Sequence, residues 1–182
     1  MGPNAILNAS VNVEPYDDEF EDIYTIGIFT IGTLNIEEIH TDPKKVINAL
    51  YHVSSNIVKD DKFLVTLGGE HSISQGVIKA YKEKYKNLSI LQLDAHLDLM
   101  KQFGGTRYSH ASVTRRVVED MKCKVTSFGV RVVSKEEQEY VKKKKDSVSV
   151  FYAKDIYNND DWHDQAIETL EDYVYITLDV DG

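Results

Sequence analysis

The stretch Leu88-Ser89-Ile90-Leu91-Gln92-Leu93-Asp94-Ala95-His96-Leu97-Asp98-Leu99 sets both the fold and the chemistry of this chain. An apolar run suited to a buried strand drops into three metal-competent side chains spaced two apart. In extended backbone successive side chains alternate faces, so Asp94, His96 and Asp98 point to one side. Two carboxylates and an imidazole converging at the end of a buried strand call for a divalent cation.

Strand-like and helix-like patterns alternate on either side of this stretch. Tyr24–Thr30, Phe63–Leu67, Leu88–Leu93, Val125–Val130, Ser147–Tyr152 and Tyr173–Val180 are short and rich in Val, Ile, Leu, Phe and Tyr. Several are apolar on both faces, as strands of a covered parallel sheet should be. Helices are expected at Asp42–Val58, Ser72–Tyr85, Ala111–Met121, Ser134–Lys144 and Asp160–Asp172. The first has Asp42 as N-cap and Pro43 in its first turn; the second carries Ile73, Val77, Ile78, Tyr81 and Tyr85 at helical spacing. This order predicts one α/β domain, a three-layer αβα arrangement around a mostly parallel central sheet. Sites in such sheets lie outside the carboxyl ends of the strands. His71 follows Phe63–Leu67 through Gly68-Gly69, and Asp179 and Asp181 end the last strand.

The chain has 182 residues, 42% of them apolar and 28% charged, enough for a substantial core. Its net charge of -9 argues against nucleic acid as a partner and for a small cationic ligand. The basic block Lys142-Lys143-Lys144-Lys145 reads as the solvated end of a helix. No stretch is long and apolar enough for a membrane span, so no membrane partner is expected, and a cytoplasmic location follows. The single Cys123 has no thiol partner and reads as a small buried hydrophobe.

His71, Asp94, His96, Asp98, Asp179 and Asp181 thus form a candidate set of four carboxylates and two imidazoles. That mixture suits Mn²⁺, Fe²⁺ or Zn²⁺. Six ligands exceed what one catalytic ion with open positions needs, whereas two ions about 3.5–4 Å apart can share them and generate hydroxide at neutral pH. Two divalent ions, four aspartates and one hydroxide leave roughly one negative charge, which would welcome a cation.

These residues resemble the arginase/agmatinase (ureohydrolase) family. The likeness rests on Gly68-Gly69-Glu70-His71-Ser72, Asp94-Ala95-His96-Leu97-Asp98 and Asp179-Val180-Asp181. It extends to Gly2-Pro3-Asn4-Ala5-Ile6, Ala9-Ser10, Tyr108-Ser109-His110-Ala111-Ser112 and Arg115-Arg116, stretches most like agmatinases. The resemblance implies an arginase/deacetylase-like fold and two Mn²⁺ per chain. One ion would be held by His71, Asp94, Asp98 and Asp179, the other by Asp94, His96, Asp179 and Asp181. It further implies hydrolysis of a guanidinium group, most like agmatine to putrescine plus urea, a step of polyamine biosynthesis. Asp98 would orient the hydroxide and His110 would shuttle a proton to the leaving amine. A homo-oligomer, trimer or hexamer, is implied as well.

The loop Leu99–Tyr108, with Met100, Phe103, Gly104 and Gly105, is poor in groups that would read an amino acid's carboxylate, although Lys101 and Arg107 are in place to do so. Arginase, guanidinobutyrase and formimidoylglutamase activities therefore stay open, as does a non-catalytic metal-binding homologue. A single-zinc deacetylase-like hydrolase is the enzyme rival. Relative to the family the chain is shortened at both ends. The expectation is a piece of a longer enzyme, weakly active or inactive by itself; a shortened homologue and one part of an assembly are the other accounts. His40, His52 and His163 read as packing or surface residues, and Arg131 as a structural salt-bridge former.

Overall fold

Leu88–Leu93 forms β1, whose residues are buried or nearly so, and it lies inside a parallel sheet as its apolar run requires. The computed structural model describes residues 2–157 and 159–182. β2 (Lys124–Val130), β3 (Val148–Tyr152) and β4 (Tyr173–Leu178) complete a four-stranded, all-parallel sheet in the order β3-β2-β1-β4. Helices α1 (Gly2–Ser10), α2 (Pro43–Lys59), α3 (Ser74–Lys84), α4 (Val113–Asp120), α5 (Lys135–Lys143), α6 (Ala153–Ile156) and α7 (Trp162–Ile167) surround or precede it.

The register divides the side chains between two faces. Ile90, Val125 and Val148 are cross-strand neighbours and share a core with Ile78 of α3, Val117 of α4 and Tyr140 of α5. Cys123 joins that core as a small hydrophobe. On the opposite face Phe128 meets Trp162 of α7 with ring centroids 5.3 Å apart, and Thr126 hydrogen-bonds Thr169 at 2.5 Å. The path β1–β2–β3 runs outward with α4 and α5 on the first face. The return from β3 to β4 reverses direction and carries α6 and α7 over the second. Both placements are what right-handed crossovers demand. The three-layer expectation holds.

Local signals set the helix starts. The Asp42 carboxylate accepts the N–H groups of Lys44 and Lys45 ahead of Pro43. Ser134 and Glu137 form a reciprocal capping box at α5. Glu137 also accepts the N–H of Leu99 at 3.1 Å, tying α5 to the loop that leaves β1. Lys142 and Lys143 close α5, and the four lysines from 142 to 145 are exposed. Among the described residues no helix is long and apolar enough to cross a membrane.

Two expected strands join no ladder. Ile23–Ile26 is a 3-10 turn and the residues to Thr30 are irregular, while Phe63–Leu67 runs without a strand partner among the described residues. Their composition is that of strands, but a strand exists only where a neighbour accepts its hydrogen bonds. The helix expected at Asp160–Asp172 is shorter, because Thr169 turns back to hydrogen-bond the carbonyl of Ala166. β4 stops at Leu178, and Asp179 begins the turn that holds the last two candidate ligands.

Gly76 marks where α2 and α3 cross. A Cβ there would lie 2.3 Å from the Ile47 carbonyl oxygen and 2.9 Å from the Tyr51 nitrogen. Gly76→Ala should therefore destabilise the chain by roughly 1–3 kcal/mol, because the overpacking outweighs alanine's gain of about 1 kcal/mol in helix propensity. Urea denaturation checks this: the midpoint should fall with the slope unchanged.

Candidate metal centre

Gly68-Gly69 delivers the chain to a short 3-10 turn, His71–Ile73, capped by Glu70, whose Oε2 accepts the Ser72 N–H at 2.8 Å. This turn aims His71 at the carboxyl ends of β1 and β4. Its Nε2 hydrogen-bonds the Thr177 hydroxyl at 2.9 Å. Its Nδ1 faces Asp98 Oδ2 at 2.9 Å, Asp94 Oδ2 at 3.3 Å and Asp179 Oδ2 at 3.7 Å. Yet this buried Nδ1 has no partner in line for a hydrogen bond. Donor atoms that crowd together without bonding one another face a common point, as ligands around a cation do.

Asp94 is the hub. Gln92 Nε2 donates to its Oδ2 at 2.9 Å and the His96 N–H to its Oδ1 at 2.8 Å. His96 Nδ1 lies 3.5 Å from Asp94 Oδ1 and 3.1 Å from Asp181 Oδ2. Two groups of potential ligands result, His71–Asp94–Asp179 and Asp94–His96–Asp181, each with ligand atoms within 4.8 Å of one another. Asp94 belongs to both. Asp98 joins the first through His71, and Asp179, a member of the first, also accepts the Asp181 N–H at 3.3 Å. All six candidates therefore meet in one place.

Alternation along an extended backbone does not account for Asp98. Four residues of strand span about 13 Å, too far for Asp94 and Asp98 to reach one nitrogen. The chain turns instead: Asp98 adopts φ +52°, in the left-handed region, and its carboxylate comes back to His71. A non-glycine residue held there at the centre of a site is strain put to use.

Electrostatics bind the set together. Burial opposes charge on His71, but the carboxylates of Asp94 and Asp98 outweigh it and push the imidazole up to about 10. Burial also works against the Asp94 charge, yet His71, the His96 N–H and Gln92 hold its carboxyl below the usual range. For Asp98 burial prevails, and its carboxyl is raised despite His71. Two carboxylates flanking one imidazole share protons as a unit.

His110 stands beside this cluster, tied through Glu70 to the turn that carries His71. Glu70 Oε1 accepts the His110 backbone N–H at 2.8 Å and lies 3.2 Å from its Nδ1. A carboxylate only accepts, so Nδ1 is the protonated nitrogen and Nε2 the one left for exchange. Phe103 packs edge-on against the ring, with centroids 5.3 Å apart. A hairpin holds Phe103 there: Phe103 and Thr106 exchange backbone hydrogen bonds across Gly104 and Gly105, both at positive φ. In the same loop Arg107 is committed to Asp120, at 2.6 and 2.8 Å.

Several supporting residues escape a reading of the sequence alone. Glu70, Gln92 and Thr177 orient His110, Asp94 and His71. Glu70 stands next to a ligand in its motif, but nothing in the spacing points it at His110, forty positions away. Arg131 departs from the salt-bridge expectation: it hydrogen-bonds the carbonyls of Gly129 and Asp181 and so fixes the turn that carries Asp181.

Because His71 titrates above its ordinary 6.5, the metal-free centre draws full stability from this group below that pH and loses it as the pH climbs toward about 10. A cation needs the proton gone, so affinity for a divalent cation, with Mn²⁺ as the probe, should rise over the same window with proton release. Calorimetric titration in buffers of different ionisation heat measures this, and a buffer-independent heat would contradict it. Gln92→Leu removes a donor to Asp94 and the acceptor of the Ser127 and Thr114 hydroxyls. It should cost about 1–3 kcal/mol in urea unfolding and weaken Mn²⁺ binding about 10–100-fold.

Comparison with known proteins agrees with this geometry. The chain is 31% identical over 187 residues to the N(1)-aminopropylagmatine ureohydrolase of Synechocystis, a match covering all of the chain and 60% of the relative. It is 29% identical to the agmatinase of Bacillus subtilis, again over its full length and 61% of that protein. Among solved structures, the agmatine ureohydrolase of Thermoplasma volcanium superposes with a TM-score of 0.86 at 32% identity, over 100% of the chain and 60% of that structure. The chain thus spans about three-fifths of the length of the relatives it matches. The model of the Arginase family matches residues 1–182, the very span that brings two histidines and four aspartates to the ends of parallel strands, and the chain belongs to that family.

Proposed function

We propose that this chain carries the metal centre of a ureohydrolase that cleaves the guanidinium of an aliphatic amine such as agmatine, giving putrescine and urea. The observation that carries the reading is the pair of His/Asp groups sharing Asp94, with the Glu70–His110 pair beside them. His71, Asp94, Asp98 and Asp179 would hold one Mn²⁺, and Asp94, His96, Asp179 and Asp181 the other. When bound, such a pair supplies Lewis acidity and a hydroxide nucleophile at neutral pH.

The protein's own groups do the rest. The surplus of carboxylates draws in the planar guanidinium cation. The Asp98 carboxylate, fixed by its left-handed backbone, accepts a hydrogen bond from the attacking water and aligns it with the guanidinium carbon. Attack forms the C–O bond, and the C–N bond to the alkyl chain then breaks. His110, kept in one tautomer by Glu70, takes up at Nε2 a proton given up by the attacking water and passes it to the departing nitrogen, so that the products are neutral urea and an alkylammonium.

An amine substrate is favoured over an amino acid by the loop Leu99–Tyr108. One guanidinium nitrogen of Arg107 donates to both carboxylate oxygens of Asp120, a partner that competes with a substrate carboxylate. The names of the relatives point the same way, since both agmatine and aminopropylagmatine lack that carboxylate.

The test is Mn²⁺ content together with urea release from agmatine, aminopropylagmatine, arginine and guanidinobutyrate. Two ions per chain are expected, with release from the amines ahead of the acids and slow against an ordinary turnover of about 10 s⁻¹. Two ions with no urea from any of the four would make this a non-catalytic metal binder. His96→Ala or Asp179→Ala should lose metal. His110→Asn should keep both ions and lower turnover about 10²–10⁴-fold; loss of the ions in that variant would rule out a shuttle.

A further inference from the structure

Leu97 and Leu99 are fully buried in one apolar cluster, and Asp98 stands between them. Its φ of +52° is one that a residue with a Cβ keeps only where its surroundings impose it. The surroundings that do so belong to α4 and α5, elements that supply none of the six candidate ligands.

The peptide that joins Asp98 to Leu99 is held at both of its polar groups. Its carbonyl accepts the backbone N–H of Arg115, in α4, at 3.2 Å. Its N–H donates to Glu137 Oε1, in α5, at 3.1 Å. The plane of that peptide cannot rotate out of the turn without breaking both bonds. Arg115 adds a third hold, since its Nη1 donates to the Leu99 carbonyl at 3.2 Å. Its guanidinium also stacks 3.9 Å above the Tyr140 ring of α5, so the two helices grip the turn as one unit. Glu137 is only 7% exposed, and a buried carboxylate needs partners for both oxygens. Oε2 alone serves the helix cap, accepting the N–H and the hydroxyl of Ser134. Oε1 is not needed there and reaches Leu99, 38 positions away in the chain.

We infer that Glu137 and Arg115 are positioning residues for Asp98. They lock the peptide between Asp98 and Leu99, and the locked turn carries the Asp98 carboxylate back to within 2.9 Å of His71 Nδ1. Both act on the backbone of the turn and leave the carboxylate free for a cation. The consequence for metal binding rests on the proposed role of Asp98 as a ligand; the lock itself does not. A helix cap and a ligand loop thus share one carboxylate, and the packing of α4 against α5 sets the shape of the first His/Asp group.

The test compares two variants of the 182-residue chain. Glu137→Met keeps the length of the side chain but removes the acceptor for Leu99. Ser134→Ala breaks the capping box and leaves that acceptor in place. In the metal-free chain the backbone NMR shifts of Asp98 report its φ; they should leave the left-handed range in Glu137→Met and stay there in Ser134→Ala. In calorimetry with Mn²⁺, Glu137→Met should weaken one of two binding events about tenfold or more and spare the other. Ser134→Ala should lower the urea midpoint and leave both events unchanged. Placed in an Asp98→Ala background, Glu137→Met should cost no further affinity, because the two changes act through one carboxylate. If Glu137→Met does not fold, Arg115→Met, which leaves the capping box intact, takes its place with the same results expected. Unmoved Asp98 shifts, unchanged Mn²⁺ binding, an equal loss in Ser134→Ala or an additive loss on Asp98→Ala would each overturn the inference. A chain that binds no Mn²⁺ at all would overturn the proposed function instead, and the Asp98 shifts would then decide the lock by themselves.

Discussion

Four carboxylates held around two imidazoles at the ends of neighbouring strands repel one another, and Asp94 and Asp98 do so almost out of water. Desolvation raises the cost of every such charge. The surrounding structure serves to offset that cost. Gln92 donates to Asp94 from beneath, backbone N–H groups of Ala95 and His96 donate to Asp181 and Asp94, and Arg131 anchors the Asp181 turn. These contacts reduce the repulsion without removing it, and the unbonded Nδ1 of His71 remains at the point where carboxylate oxygens converge. Divalent cations would complete that balance, which is why the two His/Asp groups are candidates to hold metal.

The same constraint reaches outward to the scaffold. β1 is central and contributes Asp94 on a strand paired on both sides, whereas Asp179 and Asp181 follow β4, which is paired on one side only. Two of the six candidate ligands therefore follow an edge strand with an exposed apolar face. Edge segments open more readily than central ones, so Asp179 and Asp181 sit on the less protected side of the candidate site. Stability of the sheet and completeness of the site are one question in this chain.

His110 is controlled from a different direction. Its ring is set by Glu70, which also caps the turn carrying His71. One acidic residue thus couples the turn that carries His71 to the tautomer of His110. The Gly104–Gly105 hairpin adds Phe103 on the ring's other side. The two contacts restrain the His110 ring from separate loops.

Much of this was legible in the residues themselves. The apolar run of β1, the Asp42–Pro43 start of α2, the Ser134 cap of α5 and the metal motifs are local signals, and local physics suffices to read them. Two kinds of feature were not. Phe63–Leu67 and Tyr24–Thr30 have strand composition but no strand, because pairing depends on a neighbour that periodicity cannot name. The convergence of Asp98 with Asp94 on His71 required a left-handed turn that alternation does not foresee, and Glu70, Gln92 and Thr177 acquired their roles only through contacts with residues distant in the chain. The order of residues by itself determined which side chains could bind a cation and where strands and helices would form. Tertiary structure alone decided which of them share an ion, which hold the others in place, and which strand edge is left open, because those are properties of distances in space and not of spacing along the backbone.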